Sequence, residues 1–288
     1  MTIRIGTRGS QLARWQTDWV AGELRQLGHE VEIRVITTKG DVVQDRFDKM
    51  EGKGFFTKEL EDALLNEEID VAVHSLKDLP TDSPDGLSVI AIPRRANPAD
   101  LLISTQAMKP EKPILTKKRI GTSSLRRIRA LEQITKHCRF EPIRGNVPTR
   151  LRKLQEGSCD AIVLAAAGIS RLNIDLSDLH VCALPFSQCT PAPGQGALAI
   201  QTRSHFMLDL SAIHDPMTAS CVTAERWVLA QLDGGCQLPL GVHIHPVNQA
   251  FELDLFYASD SVHTYKTVGP DPMACAEDAL EYVKRSCR

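Results

Sequence analysis

One stretch of the chain is unusually rich in arginine. Between Lys117 and Lys153 the sequence contains twelve Lys or Arg residues, eight of them Arg, and two acids, whereas the whole chain has a net charge of −2. Because a guanidinium group forms paired hydrogen bonds with a carboxylate or a phosphate, this stretch predicts a site for an anionic ligand. We interpret the lysines at positions 117, 118, 136 and 153 as solvated surface residues.

The arginines of this stretch lie beside turns that are typical of helix starts. Arg126 and Arg127 follow the turn Gly121-Thr-Ser-Ser124, and Arg144 and Arg150 lie on either side of Gly-Asn-Val-Pro. A similar turn, Thr7-Arg8-Gly9-Ser10, lies near the amino terminus. Such turns present N–H groups to anions at the edge of a parallel sheet where ligands bind. The anion could be a nucleic acid, a polyphosphate or a polycarboxylate. An aromatic content of 5% and the lack of a Walker pattern disfavour the first two.

Two further positions could do chemistry. Asp78 follows a predicted strand in His74-Ser-Leu-Lys77-Asp78, where it could hold a proton, stabilise a cation or only cap a turn. Lys77 could pair with Asp78 or with an anionic ligand, and we interpret His74 as a core or strand-end histidine. Cys236 lies in Asp233-Gly-Gly-Cys-Gln-Leu-Pro239, which predicts a loop. An exposed loop thiol is a candidate for covalent chemistry, whereas most of the eight cysteines should be buried.

The composition excludes several classes of protein. The sequence is 42% hydrophobic and has no run of apolar residues long enough to span a membrane. No apolar segment follows Met1, so we expect no signal peptide, a cytoplasmic location and no membrane partner. No two cysteines have C-x-x-C spacing, and we expect no metal. Because no long heptad pattern or large apolar stripe is present, we expect a monomer. The net charge of −2 and the aromatic content of 5% argue against a nucleic-acid partner.

The elements that must position these residues alternate between strands and helices. The first half predicts a strand at 3–6, a helix from Ser10 to Leu27, a strand at 31–37, a short helix at 57–65 and a strand at 71–74. This alternation is typical of an α/β fold with a largely parallel sheet. Helical spacing predicts that one face of the first helix is buried, namely Leu12, Trp15, Trp19, Val20, Leu24 and Leu27.

Two short internal repeats predict a pair of similar α/β domains. Arg4-Ile-Gly-Thr7 resembles Arg119-Ile-Gly-Thr122, and Asp70-Val-Ala-Val73 resembles Asp160-Ala-Ile-Val163, in the same order. We expect domain 1 over 1–95 plus about 195–212 and domain 2 over 96–194. Residues 216–288 predict a small C-terminal α+β domain with a helix, three antiparallel strands and a last helix.

Seven motifs, in their order, resemble those of the hydroxymethylbilane synthase family, also called porphobilinogen deaminases. They extend over most of residues 1–240 and are Ile5-Gly-Thr-Arg-x-Ser10, Gly52-Lys-Gly-Phe-Phe-x-Lys-Glu-Leu60, Val73-His-Ser-x-Lys-Asp78, Gly121-Thr-Ser-Ser-Leu-Arg-Arg127, Arg144-Gly-Asn-Val-x-Thr-Arg150, Pro193-Gly-Gln-Gly196 and Gly234-Gly-Cys-Gln-x-Pro239. The resemblance implies two α/β domains like those of type II periplasmic binding proteins, around a cleft, and a third domain that carries a cofactor cysteine.

The same resemblance implies a transferase of haem and tetrapyrrole biosynthesis. A dipyrromethane cofactor, made from substrate, would be attached to Cys236 through a thioether. Four molecules of porphobilinogen would be joined to it stepwise with loss of ammonia, and water would release the linear tetrapyrrole hydroxymethylbilane. Each porphobilinogen carries an acetate and a propionate, so the growing chain is a polycarboxylate and agrees with an arginine-rich site.

Roles for individual residues also follow from the resemblance. Asp78 matches the catalytic aspartate, which would stabilise the cation left by loss of ammonia. The residues implied to hold the cofactor, besides Cys236, are Lys77, Thr122, Ser123, Ser124, Arg126, Arg127, Gly145 and Arg150. Those implied to bind substrate and the growing chain are Arg8, Ser10, Arg144, Arg171, Gln195, Lys49 and Lys53, the last two in a charged, glycine-rich lid at 41–57.

The alternative is a non-enzymatic module whose two domains close on a small anion, as in transcriptional effector domains. Such a module would need neither Asp78 nor Cys236, and the sequence offers no helix-turn-helix to accompany it. Ehrlich's reagent separates the two hypotheses, because it colours a bound dipyrromethane.

Overall fold

The computed structural model of the chain describes residues 2–37, 57–107, 116–232 and 238–286. The chain divides into two compact units. The first unit consists of Met1–Ala96 and Ala197–Ala219, and the second consists of Asn97–Gly196 and Ser220–Arg288. The predicted domain boundaries stay predictions.

The first unit is built on a five-stranded sheet in the order β2-β1-β3-β10-β4. Its strands are β1 (Thr2–Thr7), β2 (Glu30–Val35), β3 (Val71–Ser75), β4 (Leu87–Ala91) and β10 (Leu198–Arg203). Strand β1 pairs in parallel with β2 and β3, whereas β10 runs antiparallel to β3 and β4. All six residues of β10 are buried, so a strand that returns from the second unit lies inside the first sheet.

The helices of the first unit are α1 (Gln11–Gln26), α2 (Lys58–Leu65) and a short 3₁₀ helix, Leu76–Asp78. Ser10 caps α1, because its Oγ accepts the Ala13 N–H at 3.3 Å. The predicted buried face of α1 is wrong in part. Trp15 and Leu27 are 37% and 41% exposed, whereas Gln16 is buried and donates to Ser75 Oγ at 2.8 Å. This partner at the end of β3 allows a polar residue to face the sheet.

The second unit contains a sheet of the same design, in the order β7-β6-β8-β5-β9. Its strands are β5 (Asp100–Ser104), β6 (Arg119–Gly121), β7 (Arg139–Glu141), β8 (Ala161–Ala165) and β9 (His180–Ala183), and its helices are α3 (Leu125–Glu132), α4 (Val147–Gln155) and α5 (Ala166–Arg171). Strand β6 pairs in parallel with β7 and β8, and β5 runs antiparallel to β8 and β9. The prediction of two similar α/β domains is confirmed.

The C-terminal part forms a three-stranded antiparallel sheet and two helices. These are α6 (Pro216–Gln231), β11 (Leu240–Val247), β12 (Ala250–Ala258), β13 (Val262–Gly269) and α7 (Pro272–Ser286). Ala276, Ala279, Leu280 and Val283 lie at helical spacing in α7, and all four are buried. The α/β fold class with a small C-terminal α+β part is therefore confirmed.

Among the helices of the described residues, none has both the length and the apolar character that a membrane crossing requires.

Candidate active site

In the first unit, four predicted site residues follow two neighbouring strands. Arg8 and Ser10 come directly after β1, and Lys77 and Asp78 come directly after β3. The two strands are parallel and adjacent, so all four residues lie at the same edge of the sheet. This edge is where ligands bind in parallel α/β sheets.

The turn that carries Asp78 is anchored by its apolar neighbours. Leu76 is 2% exposed and its N–H donates to the Ala197 carbonyl at 3.0 Å, while the Leu79 N–H donates to the Leu76 carbonyl at 3.2 Å. Lys77 is half-buried and Asp78 is exposed. The backbone of the turn is therefore fixed, and the Asp78 carboxylate is accessible to a ligand.

His74 is a core residue, as its position in the sequence predicted. It is 5% exposed, and its Nε2 lies 3.0 Å from Gln201 Oε1. Burial lowers the pKa of His74 to about 4, and the positive charge of Arg8 lowers it as well. His74 is therefore neutral at neutral pH, and Arg8 lies close enough to the end of β3 to influence it.

In the second unit, a hydroxyl-rich turn follows β6. The Ser124 N–H donates to Thr122 Oγ1 at 3.2 Å, and Ser123 Oγ donates to the Ile143 carbonyl at 3.0 Å. The Thr122 N–H also donates to the Glu141 carbonyl at 3.0 Å. These bonds tie the start of α3 to the segment after β7, which carries Arg144.

The next turn depends on Gly145, whose φ is +111°. Its carbonyl accepts Arg150 Nε at 2.7 Å, and the neighbouring carbonyl of Arg144 accepts Lys153 Nζ at 3.2 Å. Asn146 caps α4, because its Oδ1 accepts the Thr149 N–H at 3.0 Å. The predicted helix start is confirmed, and the side chain of Arg150 folds back onto this turn.

Arg126 and Arg127 are directed into the second unit. Their side chains are 5% and 8% exposed, and both form ion pairs with Asp100, at 2.8 Å and 2.6 Å. Asp100 is fully buried and begins β5, at the carboxyl end of β8. Asp100 was not among the site residues predicted from the sequence. The available signal was an acid placed directly before the apolar residues Leu-Leu-Ile of a buried strand, where a charge requires a partner.

Two further groups contact the Asp100 carboxylate. Gln195 Nε2 donates to it at 2.9 Å, and the Cys189 thiol lies 3.4 Å away. Burial alone would raise the pKa of Asp100, but the charges and hydrogen bonds of Arg126 and Arg127 hold it far below its usual range. Burial raises the pKa of Cys189 to about 12, so this thiol is neutral. Two guanidinium charges and one carboxylate charge leave the cluster with a net positive charge.

Arg171 and Gln195 connect two nearby backbone segments. Arg171 Nη2 donates to the Gly196 carbonyl at 2.7 Å, and Gln195 Nε2 donates to the Pro98 carbonyl at 2.7 Å as well as to Asp100. Both N–H groups of this amide are thus used within the protein. Burial lowers the pKa of Arg171 to about 10, which still leaves it charged at neutral pH.

Three predicted site residues lie outside the described residues. They are Lys49, Lys53 and the cofactor cysteine Cys236. All of the predicted lid at 41–57 except Thr57 also lies outside the described residues.

Two family models match the chain. The one described as "Porphobilinogen deaminase, dipyromethane cofactor binding domain" matches residues 3–207, and "Porphobilinogen deaminase, C-terminal domain" matches residues 219–259. The porphobilinogen deaminase of Geobacter sulfurreducens is 43% identical over 267 residues, which cover 89% of this chain and 81% of the relative. That of Bacillus anthracis is 43% identical over 289 residues, which cover 97% and 93%.

A much weaker similarity links 70% of this chain to 80% of the periplasmic VFT2 domain of Bordetella pertussis BvgS, at 14% identity and a TM-score of 0.42. A similarity this low supports no conclusion. The family matches, by contrast, cover both α/β units and part of the C-terminal sheet. They disfavour the non-enzymatic alternative and show that this chain belongs to the porphobilinogen deaminase (hydroxymethylbilane synthase) family of transferases, with its dipyrromethane cofactor binding domain.

Proposed function

We propose that this chain condenses porphobilinogen into hydroxymethylbilane, with Asp78 as its catalytic carboxylate and the dipyrromethane cofactor attached to Cys236. The observation that carries the proposal is the buried cluster of Arg126, Arg127 and Asp100, which has a net positive charge at the ligand edge of the second sheet. A cofactor with several carboxylates is the kind of ligand that such a cluster stabilises.

The donor groups of the second unit fit this cofactor. Hydroxyl groups after β6, the start of α3 and the arginine cluster all lie at one sheet edge. The residues that would hold the cofactor are Lys77, Thr122, Ser123, Ser124, Arg126, Arg127, Gly145 and Arg150. When bound, the dipyrromethane supplies the pyrrole carbon to which the first substrate molecule is joined.

Asp78 would act on the substrate through its charge. When ammonia leaves porphobilinogen, a positive charge develops on the remaining pyrrole. An anchored carboxylate beside that charge lowers the barrier, because it needs no reorganisation at the moment of reaction. Arg8, Ser10, Arg144, Arg171, Gln195, Lys49 and Lys53 would bind the substrate and the growing chain, mainly through carboxylate groups.

Mass spectrometry of the intact protein tests the cofactor. We expect the purified chain to carry the added mass of a dipyrromethane, located on the peptide that contains Cys236. The variant Cys236→Ser should lack this mass. An active protein with an unmodified Cys236 would contradict the proposal.

The variant Asp78→Asn tests the catalytic carboxylate. We expect it to keep its circular dichroism spectrum and its cofactor mass while its turnover falls by about 10²-fold or more. Asp85→Asn is a matched control, because Asp85 is also exposed and lies only seven positions away. A turnover of Asp78→Asn within twofold of that control would rule out the catalytic role.

We also infer that the protein acts as a cytoplasmic monomer without a membrane or nucleic-acid partner. The net charge of −2 supports the absence of a polyanionic partner. Light scattering of the purified protein tests the oligomeric state, and a mass of twice 31.8 kDa would contradict it.

A further inference from the structure

We propose that Asp100 sets the charge of the cofactor site: it pairs with Arg126 and Arg127 and leaves their cluster with one positive charge that a cofactor carboxylate balances. This inference rests on the proposed function, which places the cofactor at these arginines. Asp100 itself is fully buried and belongs to none of the motifs that carried the family resemblance.

The contacts of the two guanidinium groups differ. Arg127 donates through all three of its nitrogens: Nε and Nη2 bind Asp100 at 3.2 Å and 2.6 Å, and Nη1 binds the Val163 carbonyl at 3.0 Å. Within the described part of the chain, Arg126 donates through Nη1 alone, to Asp100 at 2.8 Å, to the Thr190 carbonyl at 2.6 Å and to Cys189 Sγ at 3.5 Å. Arg127 is thus the anchor of the cluster, and Arg126 is the guanidinium with donors left for a carboxylate ligand.

The charge of the cluster explains why a carboxylate ligand should stabilise it. A buried charge without a counter-charge is costly, and one aspartate cannot balance two arginines. Removing the charge of Asp100 would leave two buried positive charges without a counter-charge, instead of one. The anionic cofactor would then contribute more to the stability of the folded protein than it does in the unchanged chain.

The first unit provides a matched control, a second cluster of one aspartate and two arginines. Asp70 is 3% exposed in its side chain and pairs with Arg4 at 2.7 Å and with Arg203 at 3.0 Å. Asp70 precedes β3 and therefore lies at the amino end of that strand, whereas the predicted site residues follow the carboxyl ends. Removing its charge should weaken the fold without changing the effect of the cofactor.

The experiment compares melting temperatures with and without the cofactor. The unchanged chain, Asp100→Asn and Asp70→Asn are produced in a host that cannot make porphobilinogen and are then loaded by adding porphobilinogen, with mass spectrometry to verify loading. We expect the gain in melting temperature on loading to be larger by about 5 °C or more in Asp100→Asn than in the unchanged chain, since a loss of several kcal/mol shifts the midpoint by that order. In Asp70→Asn the gain should equal that of the unchanged chain.

Asp100→Glu adds a rescue test, because it retains the charge. In Asp100→Glu, the rise in melting temperature on cofactor loading should be within about 2 °C of the rise in the unchanged chain. The same melting curves measure it. An equal or smaller gain in Asp100→Asn than in the unchanged chain would overturn the inference. An unchanged chain that takes up no cofactor mass at all would instead overturn the proposed function.

A second measurement covers the case in which unloaded Asp100→Asn does not fold. The variants are then produced in an ordinary host, and the soluble protein is analysed by mass spectrometry. Soluble Asp100→Asn in which every molecule carries the cofactor supports the inference, provided that soluble Asp70→Asn contains the same unmodified fraction as the unchanged chain. No soluble Asp100→Asn, or an equal unmodified fraction in both variants, would overturn it.

Discussion

Gly145 has a backbone conformation that residues with a side chain rarely adopt, with φ at +111°. A Cβ atom here would lie 2.7 Å from Thr149 Cγ2, and the carbonyl of the same residue binds Arg150. We predict that Gly145→Ala lowers the free energy of unfolding by about 2 kcal/mol and weakens cofactor loading, because both the turn and Arg150 must shift. Urea unfolding measures the first effect and mass spectrometry the second.

Gly157→Ala is the control for this prediction. Gly157 also has a positive φ, +79°, but a Cβ atom there would have no neighbour within 4 Å. Gly157→Ala should therefore lose only the free energy that the positive φ costs an alanine, which is less than the loss in Gly145→Ala. Equal losses in the two variants would show that the contact with Thr149 is unimportant.

At the same scale, the sequence could predict which side chains follow a strand, because that depends on nearby residues alone. The hydroxyl turn after β6 and the aspartate after β3 are examples. It could not predict the partners of Asp100, because Arg126 and Arg127 lie 26 and 27 positions away and meet it only in the folded sheet. The prediction of the buried face of α1 was wrong in part for a similar reason, because Gln16 is buried where it binds Ser75, which is distant in the sequence.

Among the elements, the repeated strand pairs share one ion pair. The Arg4 N–H and guanidinium bind Asp70, and the Arg119 N–H and guanidinium bind Asp160 in the same way. The backbone bond is also repeated, with Asp70 N–H to the Arg4 carbonyl at 2.8 Å and Asp160 N–H to the Arg119 carbonyl at 2.9 Å. The short sequence repeats therefore correspond to a common way of joining β1 to β3 in the first sheet and β6 to β8 in the second.

This ion pair predicts a dependence of stability on pH. Burial would raise the pKa of Asp70, but the hydrogen bonds and charges of Arg4 and Arg203 lower it from 3.8 to about 2. Because the folded value lies below the unfolded one, the stabilisation is fully present above about pH 4 and is lost as the pH falls towards 2. This lowering of the pKa corresponds to about 2 kcal/mol of the free energy of unfolding at neutral pH.

We therefore expect Asp70→Asn to lose about 2 kcal/mol at pH 7 and to show a flatter decline in stability between pH 4 and pH 2. Urea unfolding at a series of pH values measures both effects. Asp160→Asn is the comparison, because Asp160 has one arginine partner and a side chain that is 25% exposed, and it should lose less. A decline between pH 4 and pH 2 as steep as that of the unchanged chain would contradict the assignment.

For the whole molecule, the sequence predicted the class of fold and the return of about residues 195–212 to the first domain, but not the two strands between which β10 is inserted. The alternation of strands and helices and the three C-terminal strands are local patterns, and they were confirmed. The insertion of β10 between β3 and β4 is not local: it joins residues as far apart as His74 and Gln201, 127 positions along the chain. No periodicity within β10 indicates which strands it will pair with.

The insertion of β10 into the first sheet predicts how fragments behave. A fragment of residues 1–96 lacks β10, so β3 and β4 cannot be bridged and we expect no cooperative unfolding transition. A fragment of residues 97–288 contains all strands of the second and third sheets and should unfold cooperatively. Circular dichroism during thermal unfolding measures both. A sharp transition in the shorter fragment would contradict the importance of β10.

The position of β10 also affects the newly made protein. On the ribosome, the second sheet has its last strand once Ala183 has emerged, whereas the first sheet must wait for Arg203. At ordinary rates of synthesis, the amino-terminal half therefore spends on the order of ten seconds with the edges of β3 and β4 unpaired. Of the two five-stranded sheets, the one whose strands are translated first is therefore completed last, and its unpaired edges leave the nascent chain open to aggregation until then.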